Sequence, residues 1–150
     1  MVRPFNIYPH AYSLLPFPGE PWSTLIDLSK ATKLCDMVFQ PVSLDVEWIT
    51  MALRTVTPEH RDLRQISIRV PYFSTLYAVD AYVGQTIGET TRRQWSDLDH
   101  LLVQFWEARS IRPTVVCRRS RRTHKDMRDR IEGLLPEVVG RGVIIDLVEI

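Results

Sequence analysis

Apolar residues recur in one order at two places along the chain. Leu34, Met37 and Phe39 repeat as Leu63, Ile66 and Ile68, each a Leu-x-x-apolar-x-apolar strand signature, set 29 residues apart. Between them Trp48, Ile49, Ala52, Leu53 and Val56 fall at i, i+1, i+4, i+5 and i+8, one stripe on a helix. Ser43 or Asp45 is placed to cap that helix, and Thr57-Pro58 ends it. The pattern predicts strands over 34–39 and 63–70, the first closed by Pro41 and the second by Pro71.

Further along, Ser96-Asp97-Leu98-Asp99 has the wording of a helix start with a variant capping box. Leu98, Leu101, Leu102, Phe105 and Trp106 supply its apolar face. Thr114 to Cys117 is a third strand. A last helix from about Thr123 buries Met127, Ile131, Leu134 and Leu135, and Pro136 kinks or restarts it. Gly140 and Gly142 suit a left-handed C-cap, and Val143 to Ile150 is a final strand with Val143, Ile145 and Leu147 on one face. The segment from Tyr72 to Gln94 has weak periodicity and is expected to be a loop with a short helix.

Strands alternating with helices call for a parallel sheet, because each helix is a crossover. From Leu34, Leu63, Ile111 and Val143 as equivalent starts, the spacings are 29, 48 and 32, the long one holding an insertion from Tyr72 to Gln94. The expected fold is α/β: a short, irregular, leucine-rich-repeat-like strand-helix solenoid with parallel strands. Alternation does not separate a solenoid from a flat doubly wound sheet; the 29-residue repeat favours the solenoid. Residues 1–22, broken by Pro4, Pro9, Pro16, Pro18 and Pro21, are expected to form an irregular Pro-rich arm. Residues 23–150 form the repeat-like domain, entered through a short helical piece at about Ser23 to Thr32.

Composition changes little in this picture. Hydrophobic residues at 45% and charged residues at 25% are ordinary globular values, and the net charge of +1 does not call for nucleic acid. The charge is uneven: eight Arg/Lys against two Asp between Arg112 and Arg130 give +6 there. No apolar run approaches the ~20 residues that cross a bilayer, and Met1 to Pro21 lacks the apolar core of a secretory signal. Cys35 and Cys117 are expected as reduced thiols in strands. The expected location is intracellular, cytoplasmic or nuclear.

In a leucine-rich repeat the first, fourth and sixth positions enter the core and the intervening ones face the concave surface. The displayed set is then Asp36, Val38, Gln40, Gln65, Ser67 and Arg69, a surface suited to docking a protein segment. Arg118, Arg119, Arg121, Arg122 and Lys125 form a basic patch that could neutralise phosphates. No stacking aromatic lies within it, so a solvated strand-to-helix loop is the preferred reading and nucleic acid is the alternative partner. Asp97, Asp99 and His100 lack a second ligand cluster and read as helix-start residues, not a metal site. There is no Gly-x-Ser-x-Gly elbow, P-loop or dinucleotide fingerprint, so neither enzyme activity nor a cofactor is expected.

The run from Leu34 to Ile68 resembles the leucine-rich C-terminal regions of F-box-like proteins from mushroom-forming fungi. So do Gln94-Trp95-Ser96-Asp97-Leu98-Asp99, Phe105-Trp106-Glu107-Ala108-Arg109-Ser110-Ile111-Arg112-Pro113 and Gly133-Leu134-Leu135-Pro136-Glu137. The resemblance spans residues 30–150 and implies a substrate-recognition surface for a ubiquitin ligase, with an unidentified protein as partner. The chain departs from that pattern because residues 1–22 cannot hold the helical F-box. With that departure, the resemblance leads to the expectation of a shortened paralogue, a fragment, or a recognition half without its docking half. Val42 and Pro71 stand where the usual repeat asparagine would be.

Overall fold

The computed structural model describes residues 5–7, 26–41, 45–70, 88–119 and 124–149. Five strands, β1 (Phe5–Ile7), β2 (Asp36–Phe39), β3 (Gln65–Val70), β4 (Thr114–Arg119) and β5 (Ile145–Glu149), form one sheet in the order 1-2-3-4-5. Every neighbouring pair is parallel. Helix α1 (Glu47–Arg54) connects β2 to β3, and α2 (Glu89–Arg109) precedes β4. Helices α3 (His124–Leu134) and α4 (Pro136–Gly140) lie between β4 and β5.

The recurring strand signature pairs with itself. Met37 lies opposite Ile66 and Phe39 opposite Ile68, so the spacing of 29 seen in the sequence is the register of β2 on β3. The row through Phe39 and Ile68 continues through Val115 to Ile145, crossing four strands with one side-chain direction. Each of these residues is buried, and they share one core with Trp48, Ile49 and Leu53 of α1 and Trp95, Leu98 and Leu102 of α2. Ile131 of α3 and Val138 of α4 complete it. Phe39 meets Trp48 with ring centroids 5.9 Å apart and planes tilted by 60°. Burying one such side chain contributes about 1.5–3 kcal/mol, and the helices collect this energy on a single side of the sheet. Crossovers of one hand that always step to the next strand place every helix on that side.

Four local expectations change. Residues 1–22 were expected to be irregular throughout, yet Phe5–Ile7 pairs with β2 in the register Phe5 to Met37. The helical piece expected at about Ser23 to Thr32 lies outside the described residues up to position 25, and Leu28 to Leu34 makes successive turns: Ala31 N–H donates to the Leu28 carbonyl and Leu34 N–H to that of Ala31. Ser29 N–H donates to Asp27 Oδ1 at 2.9 Å, and such a local side-chain bond competes with helix propagation. Helix α2 begins at Glu89, with Gly88 as N-cap, so Ser96 is well inside it and does not start it. Its opening turns are mostly exposed, which is why no apolar period announces them.

The restart expected at Pro136 is found, and the fourth change concerns the two glycines that follow it. Pro136 restarts the helix after Leu135, whose φ of −124° and ψ of 52° interrupt it. Gly142 alone of the two glycines takes a left-handed φ, 95°; Gly140 keeps an ordinary one. The Tyr72 to Gln94 insertion falls outside the described residues up to position 87. Among the described residues no helix is long and apolar enough to cross a membrane.

Candidate interaction surface

Alternation along the strands sends every second side chain away from the helices. On that second face the register aligns Val38, Ser67 and Thr114 in one row, and Arg69, Val116 and Asp146 in the next. Asp36 and Gln65 pair below them, and Val148 of β5 lies above. Among the described residues the core cluster draws its helical members from the opposite face.

The six residues expected to be displayed do not behave alike. Gln65 and Arg69 are exposed, while Asp36 and Gln40 are half-buried. Val38 and Ser67 are only 4% and 5% exposed, so the expectation that they form a docking surface is corrected. Side-chain alternation fixes which way a residue points but not what covers it. Part of the cover over Ser67 is visible: Gln65 Nε2 donates to Ser67 Oγ at 3.2 Å and to Thr114 Oγ1 at 3.4 Å. That amide ties β3 to β4 across the open face.

The accessible part of the face therefore shifts toward β4 and β5. Arg69 and Asp146 are exposed on either side of half-buried Val116. Two strand spacings separate their backbones by about 10 Å. Neither has an ion-pair partner among the described residues. Val148 and Ile144 add exposed apolar surface, 48% and 68% accessible. These positions carried a sequence signal: Val143, Ile145 and Leu147 on one face imply Ile144, Asp146 and Val148 on the other.

Of the basic patch, Arg118 and Arg119 end β4 and Lys125 lies in the first turn of α3. Arg121 and Arg122 fall outside the described residues. Asp97, Asp99 and His100 part company. Asp97 and His100 are exposed, whereas Asp99 is 2% exposed and accepts the backbone N–H groups of Glu137 and Val138 at 2.8 and 2.9 Å. Asp99 thus caps α4, a different helix from the one its sequence neighbours suggested. Burial raises its pKa above the usual carboxylate range, and the two N–H donors oppose that shift. Among the described residues no group of three or more His, Cys, Asp or Glu is arranged to hold a metal.

Two further polar groups escaped the sequence reading of a surface. Buried His60 has Nε2 2.8 Å from the Leu28 carbonyl, which can only accept. Nε2 therefore carries the ring hydrogen, and Nδ1 accepts from Thr57 N–H at 3.1 Å. Arg109 donates to the Thr57 carbonyl at 2.6 Å and the His60 carbonyl at 3.3 Å while lying over the Phe105 ring. Together they fasten the α1–β3 loop to the end of α2 and to the chain entering β2. Cys117, beside the basic patch in sequence, is fully buried, and burial pushes its thiol up to about 12. Arg128 pulls the other way and loses. Such a thiol is packing, not a nucleophile.

The surface this geometry offers is a mixed polar sheet face bordered by an apolar edge strand. Comparison with known proteins found no matching family model, no matching curated protein and no matching solved structure.

Proposed function

We propose that the chain is a non-enzymatic, leucine-rich-repeat-like binding module that docks a protein segment on the face of its sheet opposite the helices of the shared core. On this reading it resembles the substrate-recognition half of an F-box-type ubiquitin-ligase adaptor. The observation that carries the proposal is the strand order: five parallel strands in sequence order, with one shared core on one side. A doubly wound sheet reverses its strand order and covers both faces with helices. A ladder wound in one direction leaves a face for a partner.

The register supports the repeat-like part of the proposal. Partner residues are 32 positions apart for β1 and β2, 29 for β2 and β3, 47 for β3 and β4, and 30 for β4 and β5. Three of the four offsets agree within a few residues, and the fourth contains the insertion. Docking on such a face draws on the exposed polar groups Gln65, Arg69 and Asp146 for specificity, and on Val116 and Val148 for apolar contact.

The test is affinity capture from extract with wild type and with an Arg69→Glu, Asp146→Lys double variant. Both side chains are exposed, so the variant is expected to fold as the wild type does. Partners retained by the wild type and lost by the charge swap are the expected result. Identical partner sets would remove this face from consideration.

A further inference from the structure

We propose that the outer edge of β5 is a strand-addition site for an extended protein segment of alternating apolar, basic and apolar side chains. Ile144 and Val148 are the exposed large hydrophobic residues of the described chain. Val148 lies in β5 and Ile144 immediately precedes it, four positions apart in the chain with exposed Asp146 midway between them. No strand lies beyond β5 among the described residues, so its outer N–H and C=O groups form a row without a ladder partner there.

An extended segment laid along that edge gains ladder hydrogen bonds from the backbone and pairs its side chains directly with those of β5. Residues opposite Ile144 and Val148 are then apolar, and the residue opposite Asp146 is basic. The pattern reads the same in both directions, so it holds for a parallel or an antiparallel visitor. Arg128 Nη2 already donates to the Ile145 carbonyl at 2.9 Å. A carbonyl oxygen has two lone pairs, so that bond leaves Ile145 able to accept an incoming N–H.

Charge argues against a second copy of this chain as the occupant. Antiparallel pairing of two β5 strands with Ile144 opposite Val148 sets Asp146 against Asp146, and like charges directly opposite destabilise a pair. The next register on the same face sets Asp146 against Val148, a charge on an apolar side chain. A basic visitor avoids both. The edge shares Asp146 and Val148 with the docking face, whereas Gln65, Arg69 and Val116 on β3 and β4 belong to that face alone.

The experiment is fluorescence anisotropy with a labelled peptide, Thr-Val-Thr-Lys-Thr-Val-Thr, and its counterpart with Glu in place of Lys. The Lys peptide is expected to bind wild type, to weaken about five-fold or more on Asp146→Lys, and to be lost on Val148→Asp. The Glu peptide is expected to gain on Asp146→Lys. Arg93→Glu, at an exposed position of α2, leaves the Lys peptide's affinity unchanged. Equal binding of both peptides, absence of binding, or sedimentation of the wild type as a dimer that Val148→Asp dissociates would each overturn the proposal.

Discussion

The carboxylate of Asp99, midway along α2, accepts the backbone N–H of Val138 at 2.9 Å across 39 positions of sequence. Its other oxygen takes the N–H of Glu137, and Pro136 at the head of α4 has no N–H to offer. A helix of five residues cannot sustain itself, and Leu135 at its N-cap position makes no side-chain cap bond. Asp99 supplies from another element what the local sequence lacks. The exposed pairs His100–Glu137 and Glu107–Arg141 flank that contact and add little on their own.

Asp99→Ala is expected to destabilise the protein by about 1–3 kcal/mol, because the buried N–H of Val138 and the part-buried N–H of Glu137 lose their acceptor. The pH dependence follows from the raised pKa. Between the unfolded carboxylate value and the higher folded one, the native state holds the proton that the unfolded chain has released. Wild-type stability therefore falls as pH rises through that window, and the Ala variant, lacking the group, does not share the fall. Urea midpoints from acid to neutral pH should show the gap between the two proteins largest at the acid end. A gap that widens toward neutral pH would contradict the burial assigned to Asp99.

How far the sequence discloses this arrangement depends on the range of the contact. The Leu-x-x-apolar-x-apolar echo is local, and its offset became the β2–β3 register residue by residue. β1 was hidden because three residues between Pro4 and Pro9 are too few to show a period. Asp99 reads as a helix-start residue from its neighbours, since nothing near it names a backbone 38 positions away. The site divides in the same manner. Alternation gave the face on which Val38 and Ser67 lie, but their burial depends on what lies over the sheet, which no single-strand pattern encodes.

Arg109 fixes the α1–β3 loop with two donated hydrogen bonds, to Thr57 and His60 carbonyls. Arg109→Ala is expected to cost about 1–3 kcal/mol, and hydrogen exchange at residues 57–63 should accelerate more than at β4. Arg109→Lys should recover less than half of the loss, because an ammonium lacks the planar fork that reaches both acceptors. Full recovery by Lys would mean that charge alone holds the loop.

Cys117 gives the fold an alkaline weakness. Its thiol is held at about 12 against 9.0 for the ordinary group, so between these values the unfolded chain releases a proton that the native state keeps. Stability is then lost as pH rises above 9, by up to about 1.4 kcal/mol per pH unit from this group. Cys117→Ala should be less stable at neutral pH by the cavity it leaves, and its stability should fall less steeply from pH 9 to pH 10. Parallel slopes for the two proteins would place the thiol in contact with water.

Gly140 and Gly142 look equivalent in sequence, and their substitution should separate them. Gly140 has an ordinary helical conformation with no heavy atom within 4 Å of where a Cβ would stand. Gly140→Ala is expected to stabilise by about 0.4–1 kcal/mol, because it restricts the unfolded chain at no steric expense. Gly142 is equally uncrowded, but its φ of 95° is one that a side chain strains. Gly142→Ala should therefore destabilise by about 1 kcal/mol or more, with no clash involved. The consequence falls on β5: Gly142 N–H donates to Val139, its carbonyl accepts from Arg112, and the turn aims Val143 into the core. Opposite signs in thermal melts of the two variants would confirm that one turn residue alone sets the direction of β5. Equal effects would mean that Gly142 does not hold the left-handed conformation.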